Sequence, residues 1–235
     1  MLEVLKNTTY RHLFLAQVIA LIGTGLITIA LALQAYDIAK GEAAQVLGIA
    51  LAIKMIAYIG VAPIASAFAE RLPRKKVLVG LDIIRALTAL CLPFVTQIWQ
   101  IYILISILQS ASAAFTPTFQ AMIPDVLPEE KDYTNALSLS RLAYDLENII
   151  SPMLAGFLLG FISYHNLFLG TVIGFIGSAL FVVSAKLPAA KVPVFKGVYY
   201  RIKQGTKIYF NTPRLKALLA LNLAIASASA VVIVN

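Results

Sequence analysis

Long apolar segments dominate this sequence of 235 residues and restrict the folds it can adopt. Seven such segments, separated by polar connections, span residues 13–36, 43–69, 77–96, 98–123, 136–160, 166–185 and 215–234. About 20 apolar residues are enough for a helix to cross a hydrocarbon core of roughly 30 Å. Charged residues make up only 13% of the chain, against roughly 25% in soluble domains. The sequence therefore predicts an all-α integral membrane protein.

Lysine and arginine lie mainly in alternate connections. Basic residues precede the first segment and recur in 71–76, at Lys131 and in 186–216, whereas the opposite connections contain only Lys40. Because cytoplasmic loops of membrane proteins are enriched in Lys and Arg, we expect a cytoplasmic N-terminus. We therefore attribute the net charge of +8 to the membrane-facing connections of a protein in a lipid bilayer, and we expect no nucleic-acid partner. We expect a multi-pass protein of the cell membrane, meaning a bacterial inner membrane or a plasma membrane.

A long basic connection divides the chain into three parts. Residues 1–186 are predicted to form a bundle of six transmembrane helices, and residues 214–235 a seventh transmembrane helix. Residues 187–213 are predicted to be a cytoplasmic linker that is partly an amphipathic helix. Within it, VYYRIKQGTKIYF alternates aromatic and basic residues, a pattern typical of a helix on an anionic membrane surface.

Charged residues inside apolar segments are costly, so we expect them to be paired or to line a polar cavity. Lys54 and Glu147 each lie about 11 residues from the start of their segments, which places both roughly 16 Å deep at 1.5 Å per residue. We expect them to form a pair or to face the same aqueous cavity. Asp82 and Arg85 lie nearer the cytoplasmic end of their segment, where a gate or an interface is favoured over a substrate site.

Polar residues also recur on one face of the first and fourth segments at the spacing of an α-helix. Such residues either line a cavity or form hydrogen bonds between helices, and the pattern favours neither. The candidate cavity residues from these two stripes and the buried charges are Gln17, Thr24, Thr28, Lys54, Gln109, Ser112, Thr116 and Glu147.

The sequence contains no enzyme signature. HExxH, GxxxxGK[ST] and GxSxG are all absent. The one cysteine, Cys91, supports neither a disulfide framework nor a metal-ligand spacing. We therefore expect no enzyme activity, no cofactor and no metal site.

The connection SAFAERLPRK resembles the signature loop of the major facilitator superfamily, G-x-x-x-D-R-x-G-R-[RK]. Arg71, Arg74 and Lys75 match it, while Ser66 and Glu70 replace its first glycine and its aspartate. VLVGLDIIRAL and AAFTPTFQAMIPDVLPEEKDYTNALSL are similar to a branch containing macrolide-efflux and siderophore-export proteins, and SPMLAG resembles the antiporter motif GPxxGG. The superfamily's RxxQGxG motif would place an arginine at position 106, where this chain has serine, so the proton-coupling role of that arginine does not transfer.

The resemblance implies twelve helices in two six-helix halves, with the substrate site between the halves and alternating access by rocking. This chain would supply the N-terminal half and the first helix of a truncated second half, and a second half-transporter chain is a possible partner. The implied function is export of small amphipathic compounds such as drugs or siderophores, driven by a proton or sodium gradient. The residues implied in gating or in contacts between halves are Ser66, Glu70, Arg71, Arg74, Lys75, Asp82, Arg85, Asp145, Pro152 and Gly156.

Two alternatives remain open at the level of sequence. The first is a solute importer or lipid transporter of the same fold. The second is a non-transporting truncated remnant, or a half-transporter that needs a partner chain.

Overall fold

The structure is a computed structural model that describes residues 2–68, 72–187, 207–218 and 220–221. The chain divides into two compact units, residues 1–192 and 193–235. The described part of the first unit contains six long helices and no strand. These are α1 (Thr8–Ala39), α2 (Ala43–Phe68), α3 (Arg74–Cys91), α4 (Ile98–Gln120), α5 (Glu130–Leu159) and α6 (Tyr164–Ser184).

Where the connections between the long helices are described, they are short turns. The turns are 3₁₀-helical at Lys40–Glu42 and Leu92–Phe94, and a single α-helical turn, Ile123–Val126, follows α4. Among the described residues, five stretches are long and apolar enough to cross a membrane, and the first of them, Thr8–Phe68, contains both α1 and α2. The least apolar of the five is α5.

In the second unit, residues 207–211 and 213–218 are helical. Most of the predicted linker and most of the predicted seventh transmembrane helix lie outside the described residues. Glu70 and Arg71 of the signature loop also lie outside them.

Local sequence signals explain where several helices begin. The Asn7 side chain caps α1 by accepting a hydrogen bond from the backbone N–H of Tyr10 at 3.1 Å. The N-terminus of α5 lies at Glu130, before the expected start of the apolar segment at residue 136. Glu130 and Asp132 occupy its first turn, where negative charge complements the helix dipole. Polar sequence therefore continues the helix beyond the apolar segment.

Small residues bring α1 and α6 into close contact. A Cβ atom added at Gly174 of α6 would lie 3.2 Å from the Cα of Gly23 and 3.1 Å from the carbonyl oxygen of Ile19, both on α1. Beside this contact, the Thr171 hydroxyl donates a hydrogen bond to the Gly23 carbonyl at 2.9 Å. Close backbone approach at small residues is a common way for membrane helices to associate. This contact fixes one side of the bundle.

The buried apolar residues form two clusters, one toward each end of the bundle. Five helices, α1 and α3 to α6, contribute to both clusters. On each of these helices, buried polar side chains lie in the sequence interval between the two contributions. The helices therefore carry a polar level between two apolar layers. Its buried members are Gln17, Asp82, Arg85, Ser112, Ser140, Ser151 and Ser178.

Candidate functional site: a polar cavity within the six-helix bundle

A cavity of about 470 Å³ opens at this polar level. Side chains from α1 to α5 line it, and most of the lining residues are polar or charged. Seven of the eight cavity residues predicted from sequence lie in its wall: Gln17, Thr24, Thr28, Lys54, Ser112, Thr116 and Glu147. The other polar or charged lining residues are Tyr58, Arg85, Arg141, Tyr144, Asp145 and Asn148.

Gln109 is the predicted cavity residue that does not line this cavity. It shares a helix face with Thr116, but seven residues separate the two along α4, which corresponds to roughly 10 Å at 1.5 Å per residue. Gln109 is half-buried in the structure. Helical periodicity identified the correct face of α4, but it did not show where along that face the cavity ends.

Sequence reasoning missed the tyrosines and the asparagine of the wall, although a signal for them was present. Arg141, Tyr144, Asp145 and Asn148 follow the i, i+3, i+4, i+7 spacing of one helix face. Tyr58 lies one turn beyond Lys54 on α2. The periodicity argument applied to the first and fourth segments would have found all five residues on the second and fifth.

Lys54 and Glu147 both border the cavity. The described residues form ion pairs within 4.0 Å at Lys6–Glu3, Arg74–Asp125, Arg85–Asp82 and Arg141–Asp145. A direct Lys54–Glu147 pair is absent from this set. The arrangement therefore leaves an ammonium and a carboxylate facing a shared space.

Asp82 and Arg85 are paired with each other and almost fully buried. The Ser178 hydroxyl of α6 donates a hydrogen bond to Asp82 Oδ2 at 2.7 Å. The Arg85 guanidinium lies 4.1 Å from the ring centroid of Phe115 and 4.5 Å from that of Phe175. Rings at this distance stabilise a cation through their negative faces. The pair therefore joins α3 to α4 and α6, while Arg85 also forms part of the cavity wall.

The polar stripes serve two purposes in the structure. Between helices, the Ser140 hydroxyl donates to Gln17 Oε1 at 2.9 Å, and the hydroxyls of Thr116 and Tyr144 lie 3.2 Å apart. By contrast, the hydroxyls of Thr24 and Thr28 donate to carbonyls of their own helix. The two interpretations of the stripes, cavity lining and helix–helix hydrogen bonding, therefore apply together.

The signature-loop residues make contacts at the end of the bundle that contains the N-terminus. Arg74 pairs with Asp125 and donates a hydrogen bond to the Ala121 carbonyl at 2.7 Å. Lys75 donates to the Ala185 carbonyl at 2.9 Å. These contacts join the start of α3 to the segments that follow α4 and α6. Sequence reasoning missed Asp125, because a partner 51 positions away carries no local signal.

The remaining candidates for gating lie on exposed surfaces. Ser66 is exposed and donates to the Pro63 carbonyl of its own helix at 2.8 Å. Asp145 forms an exposed pair with Arg141 at 3.3 Å. Pro152 and Gly156 are exposed on α5, and a Cβ atom added at Gly156 would meet no described atom within 4 Å. Ser151 and Ala155, which directly precede Pro152 and Gly156 in the same motif, are buried.

The comparison with known families follows from this architecture. The family model of the Major Facilitator Superfamily matches residues 13–234. The chain belongs to this superfamily. Members are transporters and not enzymes, and the match together with the apolar helices establishes a multi-pass membrane protein.

The chain is similar to an MFS-type transporter and to two macrolide efflux proteins. It is 28% identical over 158 residues to the uncharacterized MFS-type transporter YfiS of Bacillus subtilis, covering 65% of this chain and 38% of that protein. It is 25% identical over 177 residues to macrolide efflux protein A of Streptococcus pyogenes, covering 73% and 43%. Macrolide efflux protein A of Enterococcus faecalis is 25% identical over 150 residues, covering 62% and 46%. The matches therefore span less than half the length of these relatives.

Proposed function

We propose that this chain is the N-terminal portion of a secondary active transporter that exports small amphipathic compounds, such as drugs or siderophores, by alternating access. In this proposal residues 1–186 form one six-helix half, 187–213 the linker, and 214–235 the start of the second half. The membership of the superfamily and the similarity to macrolide efflux proteins support the proposal. The membrane would be a bacterial inner membrane or a plasma membrane, with a cytoplasmic N-terminus.

The observation that carries the proposal is the polar cavity inside an otherwise apolar bundle. Its volume of about 470 Å³ lies within the usual range for small-molecule sites, roughly 300–1,000 Å³. An ammonium or a carboxylate in a membrane helix is costly unless it is paired or faces a water-filled cavity. Lys54 and Glu147 do not offset that cost by pairing with each other within 4.0 Å. A ligand or ion that uses these charges explains why they are there.

A second half would complete the site. The exposed face of α5 contains Pro152 and Gly156 together with large apolar side chains such as Met153 and Phe157, which are 70% and 66% exposed. We assign this face to contact with a second six-helix half, supplied by the same polypeptide or by a partner chain. The loop that contains Glu70, Arg71, Arg74 and Lys75 would then stabilise one access state.

Gradient coupling in this proposal depends on Glu147. The arginine of the superfamily's fourth-helix motif is replaced by Ser106, so the coupling group must lie elsewhere. Glu147 is the carboxylate of the cavity wall that lacks an ion-pair partner within 4.0 Å among the described residues. A proton or a sodium ion could bind it. Imposing each gradient separately on proteoliposomes and measuring drug uptake distinguishes the two.

The direct test is macrolide accumulation in drug-sensitive cells that express the complete transporter, meaning the chain together with its second half. We expect Glu147→Gln to raise the intracellular macrolide concentration to the level found in cells that lack the transporter. Glu130→Gln, which changes an exposed carboxylate in the first turn of the same helix, should leave export intact. Equal membrane amounts of both variants must be shown by immunoblot. Export that survives Glu147→Gln would contradict the assigned role.

Counterflow in proteoliposomes tests whether the chain is a non-transporting remnant or a half-transporter that needs a partner chain. The coverage of less than half of each relative favours a chain that needs a second half. Counterflow by the purified chain alone would exclude the remnant, whereas counterflow only after addition of a partner would identify a half-transporter. Net accumulation of substrate by expressing cells, in place of depletion, would instead indicate an importer or lipid transporter of the same fold.

A further inference from the structure

The side of the bundle formed by α3 and α6 contains a second depression, separate from the polar cavity. This α3–α6 groove has a volume of about 380 Å³ and, apart from Asp82, is lined by apolar side chains. Its floor contains Ala86 and Ala179, which are 6% and 9% exposed, while Leu87 and Leu180 on its rim are 57% and 64% exposed. Small side chains between large ones therefore leave an apolar space that opens on the surface of the bundle.

The length and the position of the groove match those of a lipid acyl chain. On α3 its lining extends from Val79 to Leu90, and on α6 from Val172 to Val183, which is roughly 16 Å on each helix at 1.5 Å per residue. One leaflet contributes half of a hydrocarbon core of roughly 30 Å, a closely similar length. Val79 lies near the start of α3 and Val183 near the end of α6. The groove therefore runs from one membrane surface toward the middle of the bilayer.

Lysine side chains lie at the surface end of the groove. Lys76 is exposed, and it precedes Val79 by three residues, which places both on one face of α3. Lys186 is also exposed, and it follows Val183 by three residues. Long lysine side chains extend along apolar surface while their ammonium groups stay at the membrane surface. Both lysines can therefore reach a charged group at this end of the groove.

The two helix ends that carry these lysines are joined, and no acidic residue of the same segments balances them. The Lys75 ammonium donates a hydrogen bond to the Ala185 carbonyl at 2.9 Å, which links the start of α3 to the end of α6. The described residues 72–79 and 183–187 include no aspartate or glutamate. Asp82, farther along the groove, is fully buried and ion-paired. The groove therefore combines an apolar channel with a positively charged end.

We propose that the α3–α6 groove binds one acyl chain of an anionic phospholipid whose phosphate lies against Lys76 and Lys186. Because lipid is as apolar as the groove, the chain gains van der Waals contacts and little hydrophobic free energy. The lysines select the headgroup, since basic residues at a membrane surface attract anionic lipids. A second copy of the chain fits less well, because a symmetric pair would bring the same lysines together. The inference does not rest on the proposed transport function.

The test is titration of the chain in detergent micelles with lipid, with bound molecules counted by native mass spectrometry. The probes are dipalmitoylphosphatidylglycerol, which is anionic, dipalmitoylphosphatidylcholine, which has the same tails and no net charge, and glycerol 3-phosphate, which has no tail. We expect phosphatidylglycerol to bind most tightly and glycerol 3-phosphate most weakly. Glycerol 3-phosphate binding as tight as that of phosphatidylglycerol would identify a free-phosphate site and overturn the proposal.

Removing the lysines tests the headgroup contact. Lys76→Gln/Lys186→Gln should weaken phosphatidylglycerol about twenty-fivefold, roughly fivefold for each lysine near the membrane surface, and should weaken phosphatidylcholine much less. The matched control is Lys40→Gln/Lys131→Gln, which removes the same charge from two other exposed lysines and should leave phosphatidylglycerol binding unchanged. Equal losses from the two double variants would contradict the proposal, because net charge alone would then account for the binding.

Filling the groove tests the tail contact. Ala179→Phe should weaken both phospholipids about tenfold, because its ring occupies the floor of the groove. Ala143→Phe is the matched control, since Ala143 is also 9% exposed but lines a different apolar groove of about 230 Å³ between α1 and α5. That control should bind both phospholipids normally. Ala179→Leu, a smaller change, guards against misfolding and should give an intermediate loss.

Three further results would overturn the inference. The first is phosphatidylglycerol binding no tighter than that of phosphatidylcholine, and the second is an equal loss of lipid from Ala179→Phe and Ala143→Phe. The third is a dimer in the mass spectra that Ala179→Phe dissociates without any loss of lipid. That last result would assign the groove to a second copy of the chain.

Discussion

Charged side chains differ in burial and pairing between the two sides of the bundle. On the side of α3 and α6, Asp82 and Arg85 are 0% and 4% exposed, bonded to each other and covered by aromatic rings. On the side of α2 and α5, Lys54 and Glu147 are half-buried and face a cavity without an ion pair between them. The paired charges Asp82 and Arg85 hold helices together, whereas Lys54 and Glu147 remain available to a ligand.

The same contrast holds for packing. On α6, Gly174 lies against the backbone of α1, while on α5 Gly156 meets no described atom within 4 Å. One side of the bundle is thus committed to contacts within this unit. On the other side, Gly156, Lys54 and Glu147 remain free for contacts that the unit does not itself provide.

Breaking the buried pair should have the largest effect on stability. Asp82→Ala leaves Arg85 buried without a counter-charge, which we expect to lower the free energy of unfolding by about 3–5 kcal/mol. Urea unfolding of the chain in detergent micelles, followed by intrinsic fluorescence, measures this. The double variant Asp82→Leu/Arg85→Met should recover most of the loss, because no charge then remains buried. A double variant as unstable as the single one would show that the pair is needed for more than charge balance.

The next largest effect is expected at the contact between α1 and α6. Gly174→Ala places a Cβ about 3.1–3.2 Å from backbone atoms, so the helices must separate, at a cost of about 1–3 kcal/mol. Gly156→Ala is the control on the open side. It should be neutral or stabilise α5 by about 0.5–1 kcal/mol, since alanine favours helix. Equal destabilisation by the two substitutions would show that the two sides do not differ in packing.

Neutralising the cavity charges should change stability little and ligand binding strongly. Glu147→Gln and Lys54→Ala break no ion pair present in the described residues, so we expect shifts in unfolding free energy below about 1 kcal/mol. Each change should weaken export, because it removes a charge that faces the cavity. Urea unfolding measures the effect on stability, and macrolide accumulation in expressing cells measures the effect on export. If Glu147→Gln lowered the free energy of unfolding as much as Asp82→Ala, the two sides would not differ in how their charges contribute to stability.

The smallest effect is expected at the exposed pair on α5. Arg141 and Asp145 have side chains 78% and 56% exposed, so solvent screens their attraction. We expect Arg141→Ala to cost about 0.5 kcal/mol or less in the same unfolding assay. A cost approaching that of Asp82→Ala would mean that exposure does not separate structural from cavity charges in this protein.

Long apolar segments predicted an all-α membrane protein, and helical periodicity selected five of the residues that line the cavity. Gln17, Thr24 and Thr28 share one face of a helix, and the structure puts all three in the wall. Periodicity fixes direction around a helix axis but not distance along it, so it grouped Gln109, which does not line this cavity, with residues that do. Nor does it reveal contacts between distant segments, such as Arg74–Asp125. The early start of α5 was missed because its first turns are polar.

The composition of α5 also bears on how the protein enters the membrane. This helix is the least apolar candidate span and carries Arg141, Asp145, Glu147 and Asn148. A charged residue near a helix centre costs about 2.5–3.5 kcal/mol during insertion by the translocon. The hydrogen bonds of α5 to Gln17 of α1 and to Thr116 of α4 form only when those helices are already present. Biogenesis of α5 is therefore expected to be cooperative, with earlier-synthesised helices retaining it in the bilayer.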